Sequence, residues 1–134
     1  MNSQAIVDLY EVILDRKTSA EEGSYTAYLF KEGIDKILKK CGEEMSETII
    51  AAKSLEAAQV AHYNETKCAD KESGSCATEP LKEDLKNEIC DLLYHLLVLM
   101  ADRGVGIDEV MTILDERAQK TGNLKKFKTV DKNS

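Results

Sequence analysis

The sequence predicts an all-α chain of four helices around one core, and three observations carry that expectation. Apolar residues recur at helical spacing in four separate segments. No segment alternates with the two-residue period of a half-buried strand. Helix punctuation falls between those segments, at Gly33, Pro80 and Gly104.

The first helix is expected from about Gln4 to Arg16, with Ile6, Leu9, Tyr10 and Ile13 on one face and Ser3 as N-cap. A polar stretch, Thr18 to Gly23, follows it. Ser24-Tyr25-Thr26-Ala27-Tyr28-Leu29-Phe30 is short, rich in hydroxyls and without a settled period. It reads either as a loop whose hydroxyls suit phosphate contacts or as a connector whose tyrosines pack. Gly33 opens the second helix, expected to reach Ala58 or beyond, with Ile34, Ile37, Leu38, Cys41, Met45, Ile49 and Ala52 in register. Gly42 lies in its interior, where glycine costs about 1 kcal/mol against alanine. Close approach of a backbone or ligand is a reason to keep it there.

Residues 64–77 read as a polar surface insertion. Thr78-Glu79-Pro80 signals the start of the third helix, with proline in the first turn, and the helix runs to about Asp102. Its apolar residues cover most of the circumference, so it must be buried on several sides. A fourth helix follows Gly104, capped by Asp108 and facing inward through Val110, Met111, Ile113 and Leu114. Residues 121–134 read as a basic, loosely ordered tail, which leaves residues 1–120 as a single domain. Three neighbours do not cover the third helix, so a homodimer is expected to complete the bundle.

The 134 residues carry a net charge of −7, which disfavours nucleic acid as a partner. No apolar run reaches membrane-spanning length and no charged leader precedes an apolar stretch, so a cytoplasmic protein without membrane contact is expected. Cys41, Cys68, Cys76 and Cys90 lack zinc-ligand spacing and read as reduced thiols, with Cys41 and Cys90 inside helical apolar patterns and expected to be buried.

Acid placement points to chemistry. At 100° per residue Glu44 and Glu47 lie about 60° apart on one helix, with Glu43 close to Glu47. All three flank the apolar stripe, and Lys36 and Lys40 share that flank. Glu-Glu-x-x-Glu alone is common on solvated helix faces. Glu88 and Asp91 on the third helix are again three apart, and Leu92, Val98 and Leu99 surround them as a polar wedge in an apolar surface. Uncompensated acids there are costly, so pairing or a metal must offset them. Acidic pairs on two facing helices can form a divalent metal site, and an oxygen-only set favours Mg²⁺, with Mn²⁺ as alternative, over zinc.

Several segments together resemble the phosphoribosyl-ATP pyrophosphatase family of histidine biosynthesis. They are Tyr10-Glu11-Val12-Ile13 with Arg16-Lys17, Gly23 to Phe30, Lys39-Lys40-Cys41-Gly42-Glu43-Glu44, and Asp91 to Leu99. The resemblance covers roughly Leu9 to Arg117 apart from the insertion. The acid set is shared with the wider MazG-like all-α nucleotide pyrophosphatases. The resemblance implies Mg²⁺-dependent hydrolysis of 1-(5-phospho-β-D-ribosyl)-ATP to the AMP derivative and pyrophosphate, by a helical homodimer. It implies Glu44, Glu47, Glu88 and Asp91 as metal ligands, with Glu43 holding a further metal or orienting water, so that Glu43 and Glu47 are the catalytic pair. Arg16, Lys17, Lys36, Lys39 and Lys40 are the cations for the substrate's phosphates, and Ser24, Tyr25 and Thr26 the hydroxyl donors. His95, one turn after Asp91, reads as support for the ligands rather than as general base. Forty residues separate Glu47 from Glu88, more than the family leads one to expect. A looped-out surplus is tolerated because closure cost grows slowly with length. A MazG-type pyrophosphatase of deoxynucleoside triphosphates is the competing enzyme, and a non-catalytic helical interaction protein the competing class.

Overall fold

A computed structural model describes residues 4–19, 21–67 and 75–120. Its order is α1 (Gln4–Thr18), α2 (Tyr25–Glu32), α3 (Ile34–Lys67), α4 (Ser75–Arg103) and α5 (Ile107–Gln119), with no strand among the described residues. The all-α expectation holds, with five helices among the described residues rather than four. The added one is α2, in the hydroxyl-rich segment that reads from sequence as either a phosphate-contacting loop or a packing connector. Eight residues are too few to establish a period. Its ends are nonetheless well formed: the Ser24 hydroxyl accepts from the Ala27 N–H at 3.2 Å, and Gly33, at φ +88°, donates its N–H to the Leu29 carbonyl. That positive φ is open to glycine at little cost and lets α3 start at once.

Helices α3 and α4 form the spine. They run antiparallel over their most extensive interhelical contact, and α3 alone is 34 residues, about 50 Å, long. Tyr10 and Ile13 of α1, Leu29 of α2, Ile37 of α3, Leu97, Val98 and Ala101 of α4 and Ile107 of α5 make one core at one end of this spine. Two polar contacts fix α1 there. The Tyr10 hydroxyl donates to the Val105 carbonyl at 2.7 Å, and the Lys17 ammonium donates to the Ala101 carbonyl in the last turn of α4 at 2.8 Å. The acids therefore sit at the margin of the core, two turns beyond Ile37 on α3 and about two turns before Leu97 and Val98 on α4.

Several boundaries differ from expectation. Residues 64–67 continue α3, and 75–77 already belong to α4, so the insertion is shorter than the polar composition suggested, and residues 68–74 lie outside the described residues. Pro80 is consequently in the second turn of α4, not the first, and removes one backbone bond there. The cap of α5 is not Asp108 but the Glu109 carboxylate, which accepts from the Gly106 N–H at 2.6 Å. Ile113 and Leu114 are half exposed, because α5 touches the core through Ile107 and Met111, and Leu114 lies two turns along that stripe. Cys90 is exposed rather than buried and Cys41 is half-buried, both as free thiols. Cys68, the Cys76 side chain, Ser3 and the expected 121–134 tail lie outside the described residues. Ile89, Leu93 and Leu96 of α4 remain exposed, and an apolar groove runs between α1 and α4 along Ile6, Leu9, Leu93 and Leu97. No helix among the described residues is long and apolar enough to cross a membrane.

Candidate active site

The antiparallel pairing of α3 with α4 brings Glu44 of α3 against both acids of the α4 pair. One carboxylate oxygen from each of Glu44, Glu88 and Asp91 lies within 4.8 Å of the others. The burial is not what the apolar surroundings of Glu88 and Asp91 suggested. Asp91 is exposed and Glu88 half-buried, whereas Glu44 keeps only 6 % of its surface in contact with solvent. The apolar neighbours of the α4 acids cover the flanks of that helix and leave the acid stripe open. Glu47, one turn beyond Glu44, is exposed and falls outside the three-oxygen group. A side-chain hydrogen bond with Glu44, together with the charges of Glu44 and Glu88, pushes its carboxyl above the usual range.

The buried Glu44 is compensated by neighbours. Lys40 places its ammonium 2.9 Å from Glu43 Oε2 and 3.1 Å from Glu44 Oε1, and those two carboxylates raise it well above the ordinary lysine range. Glu43 in turn is held low by Lys40, with Lys39 at 3.6 Å on its other oxygen. His95 is buried, with Nδ1 3.7 Å from Glu44 Oε1 and 2.8 Å from the Asp91 carbonyl oxygen. A carbonyl only accepts, so Nδ1 carries the proton and Nε2 accepts from the Tyr25 hydroxyl at 3.1 Å. His95 thus braces the acid-bearing turn of α4 and ties it to α2.

The expected substrate contacts divide. Lys36, Lys39 and Lys40 lie along the acid flank, Lys36 with its ammonium 5.9 Å from the Tyr28 ring centre. Arg16 pairs with Glu21 at 2.5 Å. Lys17 is bound at Ala101, about 15 Å along α4 from Asp91. Neither is drawn to the acids by these contacts. The Ser24 hydroxyl caps α2, the Tyr25 hydroxyl is on His95, and the Thr26 and Tyr94 hydroxyls bond each other. Tyr25 and Thr26 therefore tie α2 to α4 instead of presenting free donors. Burial also raises the Tyr25 phenol. Gly42 faces open space: a Cβ there would meet no other atom of the described residues within 4 Å.

One positioning contact escaped sequence reasoning. The Thr48 hydroxyl, one turn after Glu44, is 2.7 Å from the Glu44 carbonyl oxygen and 3.3 Å from that of Glu88, which joins α3 to α4 at the level of the acids. Its signal was a hydroxyl at i+4 from an acid on the flank of an apolar stripe. Beside it a cleft of about 260 Å³ runs between the helices over Ile50, Ala51 and Leu81, edged by Glu47, Asp84 and Glu88.

An all-oxygen group with one buried, lysine-compensated member fits a hard divalent cation such as Mg²⁺. A family model described as phosphoribosyl-ATP pyrophosphohydrolase matches residues 6–118. The chain is 41 % identical to the phosphoribosyl-ATP pyrophosphatase of Clostridium novyi, over 92 % of this chain and 90 % of that protein. It is 45 % identical to the enzyme of the same name from Pelotomaculum thermopropionicum, over 86 % and 92 %. A histidine biosynthesis bifunctional protein of Halalkalibacterium halodurans matches at 41 % identity over 84 % of this chain and 41 % of its own length.

Proposed function

The chain belongs to the phosphoribosyl-ATP pyrophosphohydrolase family, and on that premise we propose that it hydrolyses phosphoribosyl-ATP to phosphoribosyl-AMP and pyrophosphate in histidine biosynthesis. The observation that carries the reading is the convergence of Glu44, Glu88 and Asp91 beneath Lys40. These three carboxylates hold Mg²⁺, or Mn²⁺ in its place, and Glu47 joins them from the next turn. When bound, the ion neutralises charge on the phosphoric anhydride.

The chain's own groups supply the rest. Lys40, Lys39 and Lys36 face the substrate's phosphates along one flank of α3. Glu43 sets the position of Lys39 and Lys40 through its ion pairs. Glu47, exposed and one turn beyond Glu44, takes the proton of the attacking water. His95 and Thr48 hold the acid-bearing turns in register. Residues 1–120 act as one catalytic domain in the cytoplasm. A second copy of the chain covers the exposed apolar surface of α4, and this homodimer is the working form.

Release of pyrophosphate from phosphoribosyl-ATP, compared with a panel of deoxynucleoside triphosphates at saturating Mg²⁺, tests the reading. A kcat/KM for phosphoribosyl-ATP above that for every deoxynucleotide is expected. Preference for any deoxynucleotide overturns it in favour of a MazG-type enzyme.

A further inference from the structure

The protein has a tyrosine with a purely structural role, and it is buried: Tyr10 keeps 5 % of its surface exposed and spends its hydroxyl on Val105. Tyr25 and Tyr28 differ. They stack on one another with ring centres 6.1 Å apart, yet keep 47 % and 43 % of their surfaces exposed. The Tyr25 hydroxyl is already bonded to His95, which leaves its ring as the part free to meet a ligand face. The pair adjoins the acids directly. Tyr25 touches His95, and His95 Nδ1 is 3.7 Å from Glu44. On the rim, Lys36 stands over the Tyr28 ring, and Lys40 is close enough for its charge to act on Tyr25.

An exposed aromatic pair, one imidazole away from an anhydride-cleaving acid group and edged by lysines, has the character of a nucleobase platform. Every base has a π-face, and stacking on an aromatic ring is the usual way to hold one. The other concavity beside the acids is less suited. Its lining has no aromatic ring and no cation, and three of its residues are acids.

We propose that the exposed rings of Tyr25 and Tyr28 seat the purine of the substrate while its phosphate chain lies over Glu44, Glu88 and Asp91. This placement rests on the phosphoribosyl-ATP reading. It moves the contribution of Tyr25 from the phosphate-donating hydroxyl expected from sequence to its ring.

The test is equilibrium binding of ATP with Mg²⁺, measured by calorimetry on the full chain for wild type, Tyr28→Leu and Tyr28→Phe. KM for phosphoribosyl-ATP and sedimentation are measured on the same samples. Tyr28→Leu is expected to weaken ATP binding and raise KM about 5- to 150-fold, with kcat within about threefold, since stacking acts on substrate and transition state alike. Tyr28→Phe, which keeps the ring, restores both to within about threefold of wild type. Mg²⁺ affinity without nucleotide and the sedimenting mass stay unchanged in both variants. ATP binding that is absent from wild type, or equal in wild type and Tyr28→Leu, overturns the platform. A smaller sedimenting mass for Tyr28→Leu overturns it too, because the rings would then be a subunit contact. Failure of the functional reading looks different: ATP binding depends on Tyr28, but phosphoribosyl-ATP is not hydrolysed.

Discussion

Replacing Lys40 by methionine separates a cation that neutralises the acid group from one that only decorates it. The ammonium has two partners of unequal weight. Its contact with Glu43 involves a carboxylate side chain 41 % exposed, and solvent screening leaves such a bridge little weight in stability. Its contact with Glu44 involves a side chain 7 % exposed, where a charged hydrogen bond contributes about 1.5–3 kcal/mol. Methionine preserves the packing of the stem, so the loss is mostly electrostatic. The metal-free variant should therefore be about 1.5–3 kcal/mol less stable, a fall in Tm of roughly 4–12 °C for a domain of this size. The pH dependence has a definite sign. A lysine raised above 10.5 stabilises fully below that value and loses its contribution as pH climbs through the folded value, so the difference persists undiminished at pH 9. Glu43, lowered from 4.5, contributes fully above 4.5, and its share is lost as pH falls through its lower folded value. Mg²⁺ replaces the missing charge, and millimolar Mg²⁺ should raise Tm more in the variant than in wild type. Differential scanning calorimetry with and without Mg²⁺ reads both effects. A metal-free Tm within 2 °C of wild type, or an equal gain with Mg²⁺, refutes the reasoning.

Glu44→Gln and Asp91→Asn should each reduce turnover of phosphoribosyl-ATP more than tenfold, a barrier change above about 1.4 kcal/mol, with unchanged helical circular dichroism; retention of a tenth of wild-type turnover excludes the residue as a ligand. Activity should fall as pH drops, because protonating any carboxylate of the acid group competes with Mg²⁺, so a flat profile from pH 8 to pH 5 speaks against the metal-holding assignment. Glu47, raised above 4.5, favours the metal-free fold below 4.5 and ceases to as pH rises through its folded value, so Glu47→Gln should raise the metal-free Tm at pH 7. Sedimentation of wild type should give about 30 kDa, twice the 14.9 kDa chain, and a monomer at micromolar concentration contradicts the homodimer.

The helices that bear the acids were legible because their apolar periodicity is long. From Ile34 to Ala52 the register places Glu44 beside Glu47, and the structure keeps that register. The approach of Glu44 to Glu88 and Asp91 was legible as well, since these acids border stripes that must face inward, while Glu47 falls outside that group. Other features depend on contacts distant in sequence. Nothing near Thr48 says that its hydroxyl will meet the Glu88 carbonyl 40 residues on. Likewise, Tyr25 finds His95 across 70 residues, and Lys17, read from its charge as a phosphate contact, finds the end of α4. Short α2 was missed because its evidence is a cap, Ser24, and a stop, Gly33, rather than a period. Ile113 and Leu114 were misplaced because periodicity identifies a helix face but not how far along the helix its neighbour extends.

Divalent ion binding tests the centre of this account most directly. Mg²⁺ is titrated calorimetrically into metal-free wild type and into Asp91→Asn, each with and without a non-hydrolysable ATP analogue. The account predicts saturable binding to wild type, strengthened by the nucleotide, and at least tenfold weaker binding to the variant. Binding of equal strength to both proteins, or no binding to wild type under either condition, contradicts the assignment of Glu44, Glu88 and Asp91 as the metal-holding group.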